Sequence, residues 1–389
     1  NLDYVACWFK KAADFIAGTN IRCAFVSTNS ICQGIAVPPL WKYLFAHEVK
    51  INFAHRTFKW QSETPDQTAV HCVILGFSLL DARHRLIFDG DRIISAQNIN
   101  AYLLDAPNVI VEPRSTPFDE NIPPMIVGSC PTDGGNLIVE ADEYDDFIRR
   151  EPLAQKFIRP YLGSEEFING KQRYCLWLKD CPPSTLRKMP LVMQRIKAVR
   201  DFRLASKKAQ TRRRAETPAL FAEDRYVAAS SIFIPMVSSE NRRYVPIGFT
   251  DANVVVNNKA LFIPNGDLYT FGVLTSSVHM AWMKTICGRL ESRYSYSATV
   301  VYNPFPWCSP TPKQKTAIEK TSQKILDIRT EFADSTLADL YNELTMPKVL
   351  RDAHRENDRA VLAAYGFSAT ASESEIVAAF MNLYQSLAK

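Results

Sequence analysis

The fold is decided by residues 4–27, YVACWFKKAADFIAGTNIRCAFVS, where an amphipathic helix leads directly into a buried strand. Apolar residues recur at helical spacing from Tyr4 to Ile16, and Gly18 ends the pattern. The apolar run Ile21–Ser27 then predicts a strand that is covered on both faces. A helix followed by such a strand is typical of an open α/β sheet.

The following residues continue this alternation of helix and strand. We predict a helix over Ser30–Phe45, bent near its two prolines, and a strand over Val49–Phe53. A loop through Trp60 then leads to a strand over Ala69–Phe77. This order predicts the C-terminal half of a Rossmann-like sheet ending in a hairpin. We expect the other half, with the cofactor loop of such a fold, to lie upstream of Asn1.

Two proline-rich stretches, Leu79–Pro124 and Pro304–Pro312, predict linkers that divide the chain into segments 1–118, 119–310 and 311–389. The first is α/β, the second mixes helices and short strands as in an α+β domain, and the third is a helical tail. In the middle segment we predict helices over Glu143–Phe157, Arg187–Ala209 and Leu274–Leu290, and strands over Tyr226–Pro235, Val254–Phe262 and Thr299–Tyr302.

Composition excludes several classes of protein. No apolar run approaches the roughly 20 residues that span a bilayer, so no membrane partner is expected. The nine cysteines form no C-x-x-C pair and the six histidines show no metal spacing, which predicts reduced thiols in a cytoplasm and no metal. The chain also lacks a glycine-rich phosphate loop, so we assign it no cofactor-binding residues.

Positive charge is concentrated between Arg187 and Arg214, a stretch that contains eleven Lys and Arg residues and one acidic residue, Asp201. Such a stretch favours a polyanionic partner, and the alternative is a solvated helix face. The candidate phosphate contacts are Arg200, Arg203, Lys207, Lys208, Arg212, Arg213 and Arg214.

Two further polar stretches are candidate DNA contacts. Asn241, Arg242 and Arg243 carry side chains that suit adenine and guanine edges in the major groove, although polar residues between strands also form plain turns. Around Gly288–Ser297, either the DNA backbone is clamped or Glu291 simply pairs with Arg293 at the surface. The clamp candidates are Arg289, Arg293 and Tyr294.

Aromatic and basic residues alternate in FAHRTFKW, residues 53–60. Phe58 or Trp60 is suited to stacking on a base while Arg56 or Lys59 holds a phosphate. The alternative is that the phenylalanines belong to the core. The loop Asn303–Pro306 has its prolines at the second and fourth positions, and we interpret it as a hydrophobic corner with Trp307 rather than a catalytic loop.

Ordered matches along the whole chain resemble the MmeI-like (type IIL) restriction-modification polypeptides, a family of large adenine-specific DNA methyltransferases. Near the N-terminus, FVSTNSI with Gln33-Gly34, FAHRTFKW and AVHCVILGF are similar to the motifs that follow the catalytic loop. The later matches fall in regions similar to the family's target-recognition region and helical tail: Arg173–Leu178, His279–Trp282, Gly288–Ser297, Tyr302–Trp307, Leu340-Tyr341, Thr345–Pro347, Ala353-His354, Asp358 and Ala364–Phe367.

This resemblance implies an S-adenosylmethionine-dependent enzyme that flips an adenine out of double-stranded DNA and methylates its exocyclic amine. It also implies that the cofactor motif and the Asn-Pro-Pro-aromatic loop lie in a preceding half of the polypeptide. We therefore expect this chain alone to be inactive, while it retains base-stacking residues and sequence recognition. The alternative is a stand-alone, non-enzymatic specificity protein that works with a separate catalytic subunit. A nuclease is not expected, because no carboxylate-Lys cluster on adjacent strands is predicted.

Overall fold

A computed structural model describes residues 2–60 and 70–388. Its largest hydrophobic core draws buried side chains from all three predicted segments, running from Ala6 to Tyr384. A second core lies wholly within residues 137–255. None of the described helices combines the length and apolar character that a membrane crossing requires.

The first segment is a five-stranded sheet with helices packed on it. Its order is β1-β3-β2-β4-β5, in which only the β2–β4 pair is parallel. Helix α1 buries Phe9 and Ile16 against this sheet, whereas Tyr4, Trp8 and Phe15 on its other face are exposed. The elements are α1 Val5–Ile16, β1 Arg22–Thr28, α2 Val37–Ala46, β2 Lys50–Trp60, β3 Val70–Ser78, β4 Arg85–Asp89 and β5 Arg92–Ala96.

Three predictions for this segment are wrong in detail. Strand β1 is not covered on both faces: α1 packs on the face that carries Phe25, whereas Ala24 and Val26 on the other face are exposed. The expected helix over Ser30–Phe45 begins only at Val37, because Pro38 and Pro39 favour a first helical turn and two 3₁₀ turns precede it. The expected loop through Trp60 is a continuation of β2, which pairs with β3 as far as Val70. Ala69, at the start of the strand predicted over Ala69–Phe77, lies outside the described residues.

The predicted linker after Leu79 is also wrong, because β4 and β5 extend the sheet. Its remainder is held by hydrogen bonds to distant elements: Glu112 N donates to Tyr384 Oη at 2.8 Å, and Tyr302 Oη donates to the Pro123 carbonyl at 2.6 Å. Prolines therefore mark an extended connection here, which hydrogen bonds hold against the other segments.

The middle segment contains three small sheets with orders β12-β10-β14-β6, β11-β16-β15 and β13-β8-β9-β7. Its strands are β6 Ile126–Val127, β7 Ile138–Glu140, β8 Ile158–Leu162, β9 Arg173–Leu176, β10 Ser231–Pro235, β11 Val237–Ser238, β12 Gly248–Thr250, β13 Val255–Val256, β14 Ala260–Pro264, β15 Gly288–Leu290 and β16 Arg293–Ser295. Its helices are α3 Tyr144–Arg150, α4 Ser164–Asn169, α5 Pro183–Leu186, α6 Pro190–Leu204, α7 Ala209–Arg213, α8 Leu268–Leu274 and α9 Ser277–Ile286.

Several predictions for the middle segment need correction. The strand expected over Val254–Phe262 is two strands, β13 and β14, because the chain turns between them and they enter different sheets. The helix expected over Glu143–Phe157 ends at Arg150, and a 3₁₀ helix follows from Pro152, because proline does not continue an α-helix. The strand expected over Thr299–Tyr302 is a π-helical turn, because a short apolar run fits a buried turn as well as a strand. The single helix expected over Leu274–Leu290 is interrupted at Ser276, whose hydroxyl accepts from His279 N and caps α9.

The tail comprises α10 Pro312–Thr330, α11 Leu337–Leu340, α12 Lys348–Tyr365 and α13 Glu373–Leu387. It packs closely on the middle segment, with α10 crossing α8 at Gly272. A Cβ atom on that glycine would lie 2.1 Å from Ser322 Oγ, so only glycine permits the crossing. Asn357 Nδ2 of α12 donates to the Gly272 carbonyl at 2.8 Å and completes the contact.

Candidate nucleic-acid interface

Helix α6 separates an apolar face from a charged one. Val192, Ile196 and Val199 are buried at helical spacing, whereas Arg200 points to solvent. The residues that follow, 206–214, form a basic strap that includes the short helix α7. Arg212 Nη1 shapes the strap by donating to the carbonyls of Ser206 and Lys207 at 2.8 and 2.9 Å.

The cations of this region are available to a partner. Within the part of the chain that the structure describes, the one acid of the stretch, Asp201, pairs with Lys197, and none of the predicted phosphate contacts forms a salt bridge. The exposed members are Arg200, Lys207, Lys208, Arg212, Arg213 and Arg214.

Arg203 is the exception, and its predicted phosphate contact is wrong. Its side chain is fully buried and donates to backbone carbonyls of the surrounding loops. Burial also lowers the pKa of its guanidinium. A group without solvent access cannot reach a DNA phosphate in this conformation, and helical spacing already placed Arg203 on the buried face.

Strand β2 carries the candidate stacking residues. Phe58 and Trp60 project from one face of the strand, with ring centroids 6.3 Å apart, and Trp60 is 53% exposed. Lys59 belongs to the opposite face. Arg56 is engaged within the chain, because Nη1 binds Asp89 Oδ2 at 2.8 Å and Nε donates to the Leu103 carbonyl at 3.1 Å. The predicted phosphate role of Arg56 therefore competes with an internal ion pair.

The turn after β11 carries Asn241, Arg242 and Arg243. Asn241 and Arg243 are exposed, whereas Arg242 is half-buried and burial lowers the pKa of its guanidinium. Asn241 and Arg242 line a cavity of about 330 Å³ together with Leu344 of the tail. The predicted base-reading turn thus adjoins the helical tail.

The third group lies on β15 and β16. Arg289 stacks its guanidinium 4.0 Å from the ring centre of Tyr294, which is buried, and donates to the Ser292 carbonyl at 3.0 Å. Arg293 pairs with Glu291 at 2.9 Å on the exposed surface. The structure thus gives Arg293 the alternative role of a surface pair, while Arg289 and Tyr294 form one rigid unit.

Folding brings Arg289 to the carboxyl end of β1, where a cleft of about 410 Å³ opens. Polar groups from the first segment line it beside Arg289, among them Asn29, Gln33 and His71. The two segments touch through glycines: Gly34 has φ +57°, and a Cβ atom on it would lie 3.0 Å from Gly288 Cα. Sequence reasoning missed this junction, for which the two isolated glycines were the available signal.

The hydrophobic corner predicted after Tyr302 is confirmed. Phe305 is fully buried, with its ring centre 5.3 Å from that of Trp307. Asn303 Nδ2 donates to the Arg114 carbonyl at 2.9 Å and is therefore committed to holding the chain.

Comparisons with known proteins match the chain from end to end. Family models match the MmeI DNA-methyltransferase domain at residues 1–89, the MmeI target recognition domain at 105–309 and the MmeI C-terminal domain at 310–389. "DNA methyltransferase A" of Bacillus subtilis (strain 168) is 38% identical over 387 residues, which are 99% of this chain and 44% of that protein.

A solved structure of the type IIL restriction-modification enzyme MmeI in complex with DNA matches with a TM-score of 0.94 and 44% identity. The match covers 100% of this chain and 52% of that one, so the chain spans about half the length of these relatives. Fold and matches together define a chain built of DNA-methyltransferase, target-recognition and C-terminal domains. The chain belongs to the MmeI family, and the resemblance found in its sequence is confirmed.

Proposed function

We propose that this chain is the DNA-recognition portion of an S-adenosylmethionine-dependent, adenine-specific methyltransferase of a restriction-modification system. The observation that carries the proposal is the group of exposed cations formed by Arg200 and the basic strap, none of which forms a salt bridge within the described residues, in a chain of the MmeI family. Phosphates of double-stranded DNA suit such a surface, since their neutralisation releases counterions.

We propose separate roles for the segments. Residues 1–118 supply Phe58 and Trp60, which stack on the target base. Residues 119–310 recognise the DNA sequence, and the helical tail, residues 311–389, stabilises the recognition segment by packing on it. Asn241 and Arg242 are the proposed base readers, whereas Arg200 and the strap cations hold phosphates and so act on every sequence alike. Nine free cysteines suit the cytoplasm, where we place the protein.

The residues present do not form a complete S-adenosylmethionine site. Strand β1 leads into the 3₁₀ turn Asn29–Cys32, not into the glycine-rich turn that approaches a nucleotide. We therefore derive no step of methyl transfer from this chain, and we propose that it is inactive alone. The relatives' greater length and the edge of β1 that has no neighbour among the described strands favour a preceding segment as the partner.

The test is fluorescence anisotropy with a random-sequence duplex pool at two salt concentrations, followed by sequencing of the bound fraction. We expect salt-sensitive binding that enriches one short word. Binding without an enriched word would contradict autonomous recognition, and absence of binding at low salt would contradict the phosphate surface. A parallel assay of methyl incorporation by this chain alone is expected to give no signal, and incorporation would overturn the proposed inactivity.

A further inference from the structure

Arg203 uses every hydrogen-bond donor that an arginine side chain has. Its Nε donates once and each Nη donates twice, at distances between 2.7 and 3.0 Å. All the acceptors are backbone carbonyls, contributed by Pro131, Thr132, Arg214, Thr217 and Leu220.

The guanidinium holds the C-terminal end of the basic strap against α6. At the start of the strap, Ser206 N donates to the backbone carbonyl of Arg203 at 3.2 Å, a bond that does not depend on the side chain. At its end, Arg203 Nη1 donates to the Arg214 carbonyl at 2.8 Å. One residue therefore closes the loop that carries Lys207, Lys208, Arg212, Arg213 and Arg214.

The arrangement is costly for a residue with a purely structural task. Burying a guanidinium removes its hydration, and no carboxylate in the described residues forms a salt bridge with Arg203 to offset that loss. The guanidinium of Arg203 also contacts the loop that contains Pro131 and Thr132, since Nη2 donates to the Pro131 carbonyl and Nε donates to the Thr132 carbonyl. A lysine has three donors around a single nitrogen and cannot span these carbonyls.

We propose that Arg203 is a positioning residue that fixes the basic strap as a preorganised surface for DNA phosphates. A strap held in one geometry does not have to be ordered when DNA binds, so its cations contribute more to affinity. This inference rests on the proposed function, and it adds a role for a buried residue that touches no DNA.

The test is a thermodynamic cycle on the full 389-residue chain. Arg203→Lys is made in the native chain and in a chain whose five strap cations are all changed to Gln. Binding of a random duplex is measured by anisotropy between low and moderate salt. In the native background we expect Arg203→Lys to weaken binding about ten-fold. We also expect the slope of log affinity against log salt concentration to fall by about 2, which is less than the loss of all five strap contacts would give at ~0.9 each.

In the neutralised background we expect Arg203→Lys to change affinity less than about two-fold, because the cations it positions are gone. An equal loss in both backgrounds would show a general structural role and overturn the inference, as would no loss in either. Neutralising the strap without any effect on binding would instead overturn the phosphate surface of the proposed function, and this inference with it.

Amide hydrogen exchange of the unmodified chain provides a second measurement if Arg203→Lys does not fold. We expect the hydrogen-bonded amides of Arg212 and Thr217 to exchange as slowly as those in the last turns of α6. Exchange as fast as that of an unstructured peptide would mean that Arg203 does not hold the strap, and would overturn the inference.

Discussion

The hydroxyl of Tyr244 donates to Oδ2 of Asp358 at 2.7 Å, which joins the recognition segment to helix α12 of the tail. The other oxygen, Oδ1, accepts from Ser277 N at 2.7 Å and so satisfies the first turn of α9. Both side chains are buried. One carboxylate thus links three elements that lie far apart in the sequence.

Removing that carboxylate should weaken the whole chain. We expect Asp358→Ala to lower the free energy of unfolding by about 2–4 kcal/mol, because it leaves a buried hydroxyl and a helix N–H without their acceptor. Urea unfolding followed by circular dichroism measures the change. Asp352→Ala is the matched control. Asp352 lies on the same helix with its side chain 39% accessible and forms only surface ion pairs, so its loss should cost under about 0.5 kcal/mol. Equal losses in the two variants would contradict the assigned role.

The glycine junction between the sheet and the recognition segment predicts an asymmetric pair of variants. Gly34→Ala should destabilise the chain by about 1–3 kcal/mol. Gly34 adopts a left-handed backbone conformation that alanine disfavours, and the added Cβ atom would contact Gly288 too closely. Gly288→Ala should cost under about 1 kcal/mol, since a Cβ there meets nothing within 4 Å. Thermal melts compare the two variants, and a larger loss for Gly288→Ala would exclude this packing.

Two buried histidines predict a loss of stability on acidification. Burial lowers the pKa of His279 to about 3 and that of His354 well below its usual value. Between the ordinary histidine pKa of about 6.5 and those lowered values, the unfolded chain binds protons that the folded chain does not. Stability therefore falls as the pH drops, by about 1 kcal/mol per histidine between pH 7 and 5.5.

Denaturant titrations at several pH values measure this slope. His279→Gln should remove about half of it. Asp358 has the opposite effect on stability as the pH drops. Burial raises the pKa of its carboxyl, so the folded chain binds a proton there before the unfolded chain does, and this stabilises the fold. The difference between the variant and the parent chain cancels this contribution. A slope unchanged in His279→Gln would show that His279 does not stay neutral when folded.

A single strap cation should act through phosphate charge. We expect Lys208→Gln to lower the log–log salt slope of DNA binding by about 0.9 and to weaken all duplex sequences alike. Anisotropy over a salt series measures the slope. Lys348→Gln, an exposed lysine of the tail whose side chain is 88% accessible, is the control and should leave the slope unchanged. A change in the preferred word would instead assign Lys208 to base readout.

The stacking role of Trp60 can be tested against an equally exposed tryptophan. Trp60→Ala should weaken binding to a duplex that carries one unpaired adenine by about 1–2 kcal/mol, roughly 5- to 30-fold, with little effect on a fully paired duplex. Trp8→Ala on α1, which is 52% exposed against 53% for Trp60, should affect neither duplex. Similar losses in both variants would indicate general hydrophobic contact.

Local patterns predicted the elements with strong periodicity and failed where neighbours decide conformation. Helix α1 and strand β1 follow from their apolar spacing. The sequence predicts a loop over residues 54–60, although they contain no Gly or Pro. These residues extend β2 because β3 supplies a partner strand. The π-helical turn at Ala298–Tyr302 has a different cause, since a short buried apolar run fits a turn as well as a strand.

Residue type and spacing along the chain are sufficient to predict the family, the α/β start, the helical tail and the concentration of positive charge before Arg214. Folding alone supplies the groups that surround a buried cation. Arg200 and Arg203 are one helical turn apart, yet the first is exposed and the second is buried among carbonyls. Helical spacing places Arg203 on the apolar face of α6, but the carbonyls that accept its hydrogen bonds belong to loops before and after this helix. Contacts between residues distant in sequence leave no local pattern, so these partners could not be predicted.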